Sequence, residues 1–224
     1  GYTGKDMTGY ADLALSAYFL GAGLFIFLFA RDKRGPFAFI ASFMLASGAW
    51  TKNEGLTFAL LGFLALCLIA LLNGKRDLKR FALCLAPLAL FILPWSVYKA
   101  VHGLGNEYVQ VMGPGVFFSN ISRLAEVIPY IASFMFLKPG VIGLAWWAYV
   151  ITAVMGARTI LTEKTLALHC LILGQLGVYI FVYIITPLDL KWHLATSVDR
   201  LLMHLIPLAM LAGLAMPAVV MHAI

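Results

Sequence analysis

Long apolar runs follow one another along nearly the whole chain, each stopped by a cluster of charge, glycine or proline. A bilayer core needs about 20 apolar residues per helical crossing. The runs lie at Ala11–Ala30, Phe37–Trp50, Leu56–Leu72, Phe81–Tyr98, Pro139–Ala157, Thr165–Thr186 and Leu201–Ile224. The second is short for a full crossing, so tilt or a shallow end is expected. With 62% hydrophobic and 12% charged residues, the chain leaves little for a water-soluble domain. The expected fold class is all-α: a polytopic integral membrane protein of about seven transmembrane helices, forming one transmembrane domain over 1–224.

Residues 1–9 are polar and read like an interior loop, with neither a basic n-region nor a cleavage site before the first run. Further spans are therefore expected upstream. The cysteines, Cys67, Cys84 and Cys170, are odd in number, widely spaced and within apolar runs. They read as small buried hydrophobes rather than disulfide or zinc ligands.

Sidedness follows from charge. Alternating crossings put 31–36, 73–80 and 158–164 on one side, with nine basic and three acidic residues. All other positions together carry seven of each. Short basic loops face the cytoplasm. The net charge of +6 is thus a topology signal, and the basic character gives no support to a nucleic-acid partner. Segments 1–10, 51–55, 99–138 and 187–200 then form the outer face. Within 99–138, Phe117, Ile121, Leu124 and Ile128 recur at helical spacing, which predicts a helix lying on the outer membrane surface. The apolar piece Val127–Leu137 is too short to cross and is expected to be interfacial or re-entrant.

Ionisable groups at a membrane are costly and become candidates for function. Asp12, at the mouth of the first run, reads as a helix-start acid or as a cavity residue. Lys52 and Glu54 occupy a tight polar turn; Lys52 reads as a snorkelling lysine or as a point-charge ligand for phosphate. Asp199 and Arg200 open the last run, where Arg200 offers a planar fork for phosphate or serves as an interfacial anchor. Lys191 and His193 precede them. His102, Asn106 and Glu107 follow Trp95, as solvated loop residues or as contacts to a sugar hydroxyl or metal. His169, Gln175 and His204 lie inside runs and suit hydrogen bonding between helices. Asn120-Ile121-Ser122 is a sequon, which matters only in a eukaryotic secretory setting. No nucleotide-binding loop, metalloprotease helix, serine-nucleophile motif or paired-carboxylate motif is present. Nothing calls for a cofactor; a divalent metal is compatible with the chemistry but not indicated.

Several motifs occur together in order. Tyr10-Ala11-Asp12-Leu13 opens a span, and Trp50-Thr51-Lys52-Asn53-Glu54-Gly55 leads into another. Leu93-Pro94-Trp95 with Tyr98 precedes His102-Gly103-Leu104 and Asn106-Glu107-Tyr108. Asp199-Arg200-Leu201-Leu202 runs on to Pro207. From about residue 9 to 215 the chain resembles the GT-C class of lipid-linked-sugar glycosyltransferases, which includes protein O-mannosyltransferases and lipid A aminoarabinose transferases. The resemblance implies transfer of a sugar from a polyprenyl phosphate to a lipid, glycan or protein acceptor, at the outer face of a bacterial inner membrane. It implies phosphate contacts from Lys52 and Arg200, with Asp12 as a structural or cavity acid. The family's catalytic acid belongs in the first outer loop, which no residue here matches, so neither Asp6 nor Asp12 takes that role and the catalytic base stays unassigned. An O-antigen ligase or polymerase, a transporter or flippase, and a structural subunit are the competing expectations. A transporter would place ionisable groups at mid-membrane; the sequence puts most of them at its edge.

Overall fold

The computed structural model describes residues 11–72, 81–82, 84–104, 113–138, 140–157 and 162–221. Among the described residues the chain is helical, with no strand. The helices are α1 (Asp12–Asp32), α2 (Gly35–Thr51), α3 (Asn53–Leu72), α4 (Ala86–Val101), α5 (Pro114–Ser119), α6 (Leu124–Phe136), α7 (Val141–Met155), α8 (Glu163–Ile185) and α9 (Leu190–Met221). A 3-10 turn, Ile121–Arg123, joins α5 to α6. Four segments are long and apolar enough to cross a membrane: Asp12–Asp32, Asn53–Leu72, Thr165–Ile185 and Leu190–Ala215. The protein is therefore a membrane protein by the character of its helices. Helices α2, α4 and α7 have 17, 16 and 15 residues. At 1.5 Å per residue each falls short of a ~30 Å hydrocarbon core.

Local sequence explains the breaks. Lys33 adopts a left-handed conformation (φ 57°) after α1, and Pro36 opens α2. Between α2 and α3 only Lys52 leaves the helix, extended at φ −157° and ψ 162°. So sharp a reversal needs the two backbones to touch. Gly55 lies directly against the Gly48 carbonyl, leaving no room for a Cβ. The expected five-residue polar turn is thus a single residue between two helices.

Proline shapes α4. Pro94 sits inside that helix, where it disrupts backbone hydrogen bonding. The Trp50 indole donates from Nε1 to the Phe91 carbonyl at 2.6 Å, binding the end of α2 to the disturbed turn.

Helices α1, α2, α3, α8 and α9 surround a core of Leu15, Phe19, Ile26, Leu45, Phe58, Leu66, Leu168, Leu205 and Leu208. Small residues set the spacing. Gly62 faces Leu45, Gly174 faces Leu61 and Gly213 faces Thr152. Close approach of this kind is how helices pack where lipid removes the hydrophobic drive between them. The opposite faces are exposed and apolar, as with Leu60, Leu64, Leu68 and Leu71 on α3.

Two expectations need correction. The last helix starts at Leu190, not Leu201, so Lys191, His193, Asp199 and Arg200 are helical rather than loop residues. At 32 residues, α9 is about 48 Å long. The expected surface helix over 117–128 is instead two helices broken at the 3-10 turn. Its inward face carries Arg123, Val127 and Ile131, while Ile121 and Ile128 point away from the protein. Arg123 donates to the carbonyls of Ile184 (3.1 Å) and Thr186 (2.9 Å), satisfying the C-terminus of α8, and Phe117 stacks on Phe181.

Candidate functional site

Asp12 is the centre of the site. It stands in the first turn of α1, yet only 1% of the residue is exposed. A buried carboxylate needs partners, and two other segments supply them. From the α2–α3 junction, Lys52 Nζ lies 2.5 Å from Oδ1. From α9, His204 Nε2 lies 2.7 Å from the same oxygen, and Arg200 Nη1 stands 4.0 Å from Oδ2. Oδ2 itself is buried without a hydrogen-bond partner. Arg200 also donates from Nη2 to the Thr196 carbonyl, one turn earlier, at 3.0 Å.

A second layer of polar contacts supports this cluster. Gln175 of α8 is fully buried and donates to the Glu54 carbonyl (3.2 Å) and the Thr57 hydroxyl (3.0 Å). It thereby locks the first turn of α3, next to Lys52. Tyr179, one turn along α8, places its hydroxyl 3.3 Å from His204 Nδ1. Phe19 stacks on Phe58 at 3.7 Å between ring centres and meets the His204 ring edge-on at 6.0 Å. The polar cluster is thus closed off by aromatic rings on its α1–α3 side.

The expected site residues separate into two sets. Asp12, Lys52 and Arg200 converge, and Glu54 stands in the first turn of α3, two residues past Lys52. Lys191 is exposed near the start of α9, remote in sequence from the Asp12 contacts. His193 is buried against the Tyr183 ring, at 4.8 Å between centres, and its carbonyl accepts from Ser197. It belongs to an α8–α9 contact in which Tyr183 and Ser197 are joined at 2.7 Å. Asn106 and Glu107 lie outside the described residues. His204 and Tyr179 are the members that reading the sequence missed. The available signal was Arg200 and His204 four residues apart, on one helix face.

Exposure decides what a ligand can reach. The Asp12 side chain is 2% exposed, Lys52 25% and Arg200 39%. An incoming group therefore meets the two cations and not the carboxylate beneath them. Asp12 lies beneath the two cations and Asp199 adjoins Arg200, so the attraction is local to the exposed atoms of Lys52 and Arg200. This suits one phosphate oxygen set better than a broad anionic surface. Among the described residues no group of three or more His, Cys, Asp or Glu side chains is arranged to hold a metal.

Position along the helices also matters. The site lies at the ends of α1, α2 and α3 but near the middle of α8 and α9. The latter two continue past it for roughly another 15–20 Å of helix, where α5 and α6 flank α8, and α6 also flanks α9. No family model, curated protein or solved structure matches this chain.

Proposed function

We propose that the chain is the membrane portion of a glycosyltransferase that moves a sugar from a polyprenyl phosphate to an acceptor hydroxyl. The resemblance to the GT-C class supports this, with about seven crossings and the site facing outward from a bacterial inner membrane. The observation that carries the reading is the meeting of Lys52 and Arg200 on one buried carboxylate. The two cations come from separate parts of the sequence, and each has the chemistry of a phosphate ligand.

In the reaction, the acceptor oxygen forms a bond to the anomeric carbon, and the bond from that carbon to the phosphate oxygen breaks. The lipid phosphate leaves with the electron pair. Lys52 and Arg200 neutralise the charge that develops on it. Asp12 holds Lys52 in place and lies beneath Arg200. It is not the base, because its side chain is buried beneath the cations and its Oδ1 already accepts from Lys52 and His204. The acceptor proton goes to a carboxylate base, which the GT-C resemblance implies and which none of the described residues matches. In membranes containing the full-length protein, Lys52→Ala and Arg200→Ala each abolish transfer of radiolabelled sugar while expression is retained. Wild-type turnover in both would end the phosphate assignment.

One observation favours a second reading, a flippase for an anionic lipid. The ionised cluster stands abreast of the middle of α8 and α9, as a transport site would. Reconstituted vesicles separate the two: a flippase moves a lipid-linked sugar between leaflets without consuming it, and a transferase consumes it.

A further inference from the structure

His204 has no part in the phosphate contacts just described, yet it is fully buried at their centre. A carboxylate oxygen only accepts, so the ring nitrogen facing Asp12, Nε2, carries the hydrogen. In the neutral ring Nδ1 is then a lone pair, and it faces the Tyr179 hydroxyl, which donates. Donation runs in one direction, from Tyr179 to His204 to Asp12 Oδ1. Lys52 donates to that same oxygen from the other side.

The consequence concerns the carboxylate's rotation. The terminal torsion of an Asp is broad and two-fold, so little intrinsic preference holds it. Here Oδ1 is held by two donors, while buried Oδ2 has none and stands 4.0 Å from Arg200 Nη1. Leaving a buried carboxylate oxygen unbonded is costly, and turning toward Arg200 would relieve it. Arg200 and His204 project from the same face of α9, one turn apart. One helix therefore addresses both oxygens, and the His204 bond opposes closure onto the arginine.

We propose that His204, backed by Tyr179, is the positioning residue of the site: it fixes the Asp12 carboxylate on Lys52 and so keeps Arg200 separate, as a phosphate between the two cations requires. The proposal rests on the phosphate reading above. Without His204 the carboxylate turns to Arg200, and Lys52 loses part of its ion pair.

The test uses the full-length protein in lipid nanodiscs and two readouts. One is the rate at which an amine-reactive ester labels Lys52, located by peptide mass spectrometry; it needs no ligand. The other is the affinity for prenyl monophosphate. His204→Phe keeps a ring but has no donor; His204→Gln retains an N–H near the Nε2 position. The phenylalanine variant labels Lys52 several-fold faster and binds prenyl monophosphate about tenfold more weakly, the scale of one charge-assisted hydrogen bond. Glutamine restores both. Tyr179→Phe, which removes one hydroxyl and preserves the packing, falls between and serves if His204→Phe does not fold. Wild-type labelling in His204→Phe and Tyr179→Phe, or equal effects of Phe and Gln, would overturn the proposal. If wild-type protein fails to bind prenyl monophosphate while labelling still separates the variants, the phosphate reading falls and the positioning role stands.

Discussion

Gly55→Ala tests whether backbone contact at the α2–α3 reversal aims Lys52. A Cβ on Gly55 would stand 3.0 Å from Ala49 N, with the Gly48 carbonyl carbon and oxygen nearer still. All of these are backbone atoms, so no side chain can rotate away. The helices must part by about 1 Å or more in an interior packed like an organic crystal. Overpacking of this kind costs about 1–3 kcal/mol, and rigid backbone on both sides puts the cost near 3 kcal/mol. Gly48→Ala is the control. It lies in the same contact, but its Cβ would meet only Tyr18 Cβ at 3.6 Å and Leu15 Cδ1 at 3.7 Å, which is ordinary contact. Alanine in place of glycine also favours a helix by about 1 kcal/mol. Helicity followed through an SDS titration of the protein in mild detergent reads both. Gly55→Ala unfolds at markedly lower SDS and loses sugar transfer as Lys52 is displaced; Gly48→Ala unfolds at or above the wild-type midpoint. Equal midpoints for the two variants would refute the reasoning.

Other perturbations address separate contacts. Asp12→Ala leaves the Lys52 ammonium without its buried partner and costs about 3–5 kcal/mol, read as a lowered SDS midpoint; an unchanged midpoint would mean that the ion pair carries no structural weight. Arg123→Gln removes the bonds to the Ile184 and Thr186 carbonyls, so hydrogen exchange in the last turn of α8 and the first of α9 accelerates while α3 exchanges as before. Trp50→Phe keeps a ring but loses the bond to the Phe91 carbonyl, at about 1 kcal/mol, with transfer retained. Reporter fusions at Lys75 and Lys191 report opposite sides of the membrane; the same side for both would contradict the topology.

Much of the helical order was legible from apolar runs alone. The expected start at Ala11 and the observed start of α1 at Asp12 differ by one residue, and α3 and α8 end within a residue of expectation. The start of α9 was hidden because Lys191, His193, Asp199 and Arg200 make its first turns look like a loop. Those turns run beyond the ends of α1 and α3 alongside α6, where a helix need not be apolar on every face. Asp12, Lys52 and Arg200 could each be singled out as a charge near a membrane edge. Their convergence could not, because it joins positions 40 and 188 apart in sequence through helix packing. In the sequence His204 is one more polar residue suited to bonding between helices; only the packing of α1 on α9 puts Asp12 opposite it.

Distance to phosphorus tests most directly whether Lys52 and Arg200 hold one phosphate above Asp12. In solid-state NMR, full-length protein with 15N-labelled lysine and arginine is loaded with prenyl monophosphate, and dephasing of the nitrogen signals by 31P is recorded. Lys52 Nζ and an Arg200 guanidinium nitrogen are both dephased, and each signal vanishes in its own alanine variant. Bound prenyl monophosphate that dephases neither nitrogen would contradict the account.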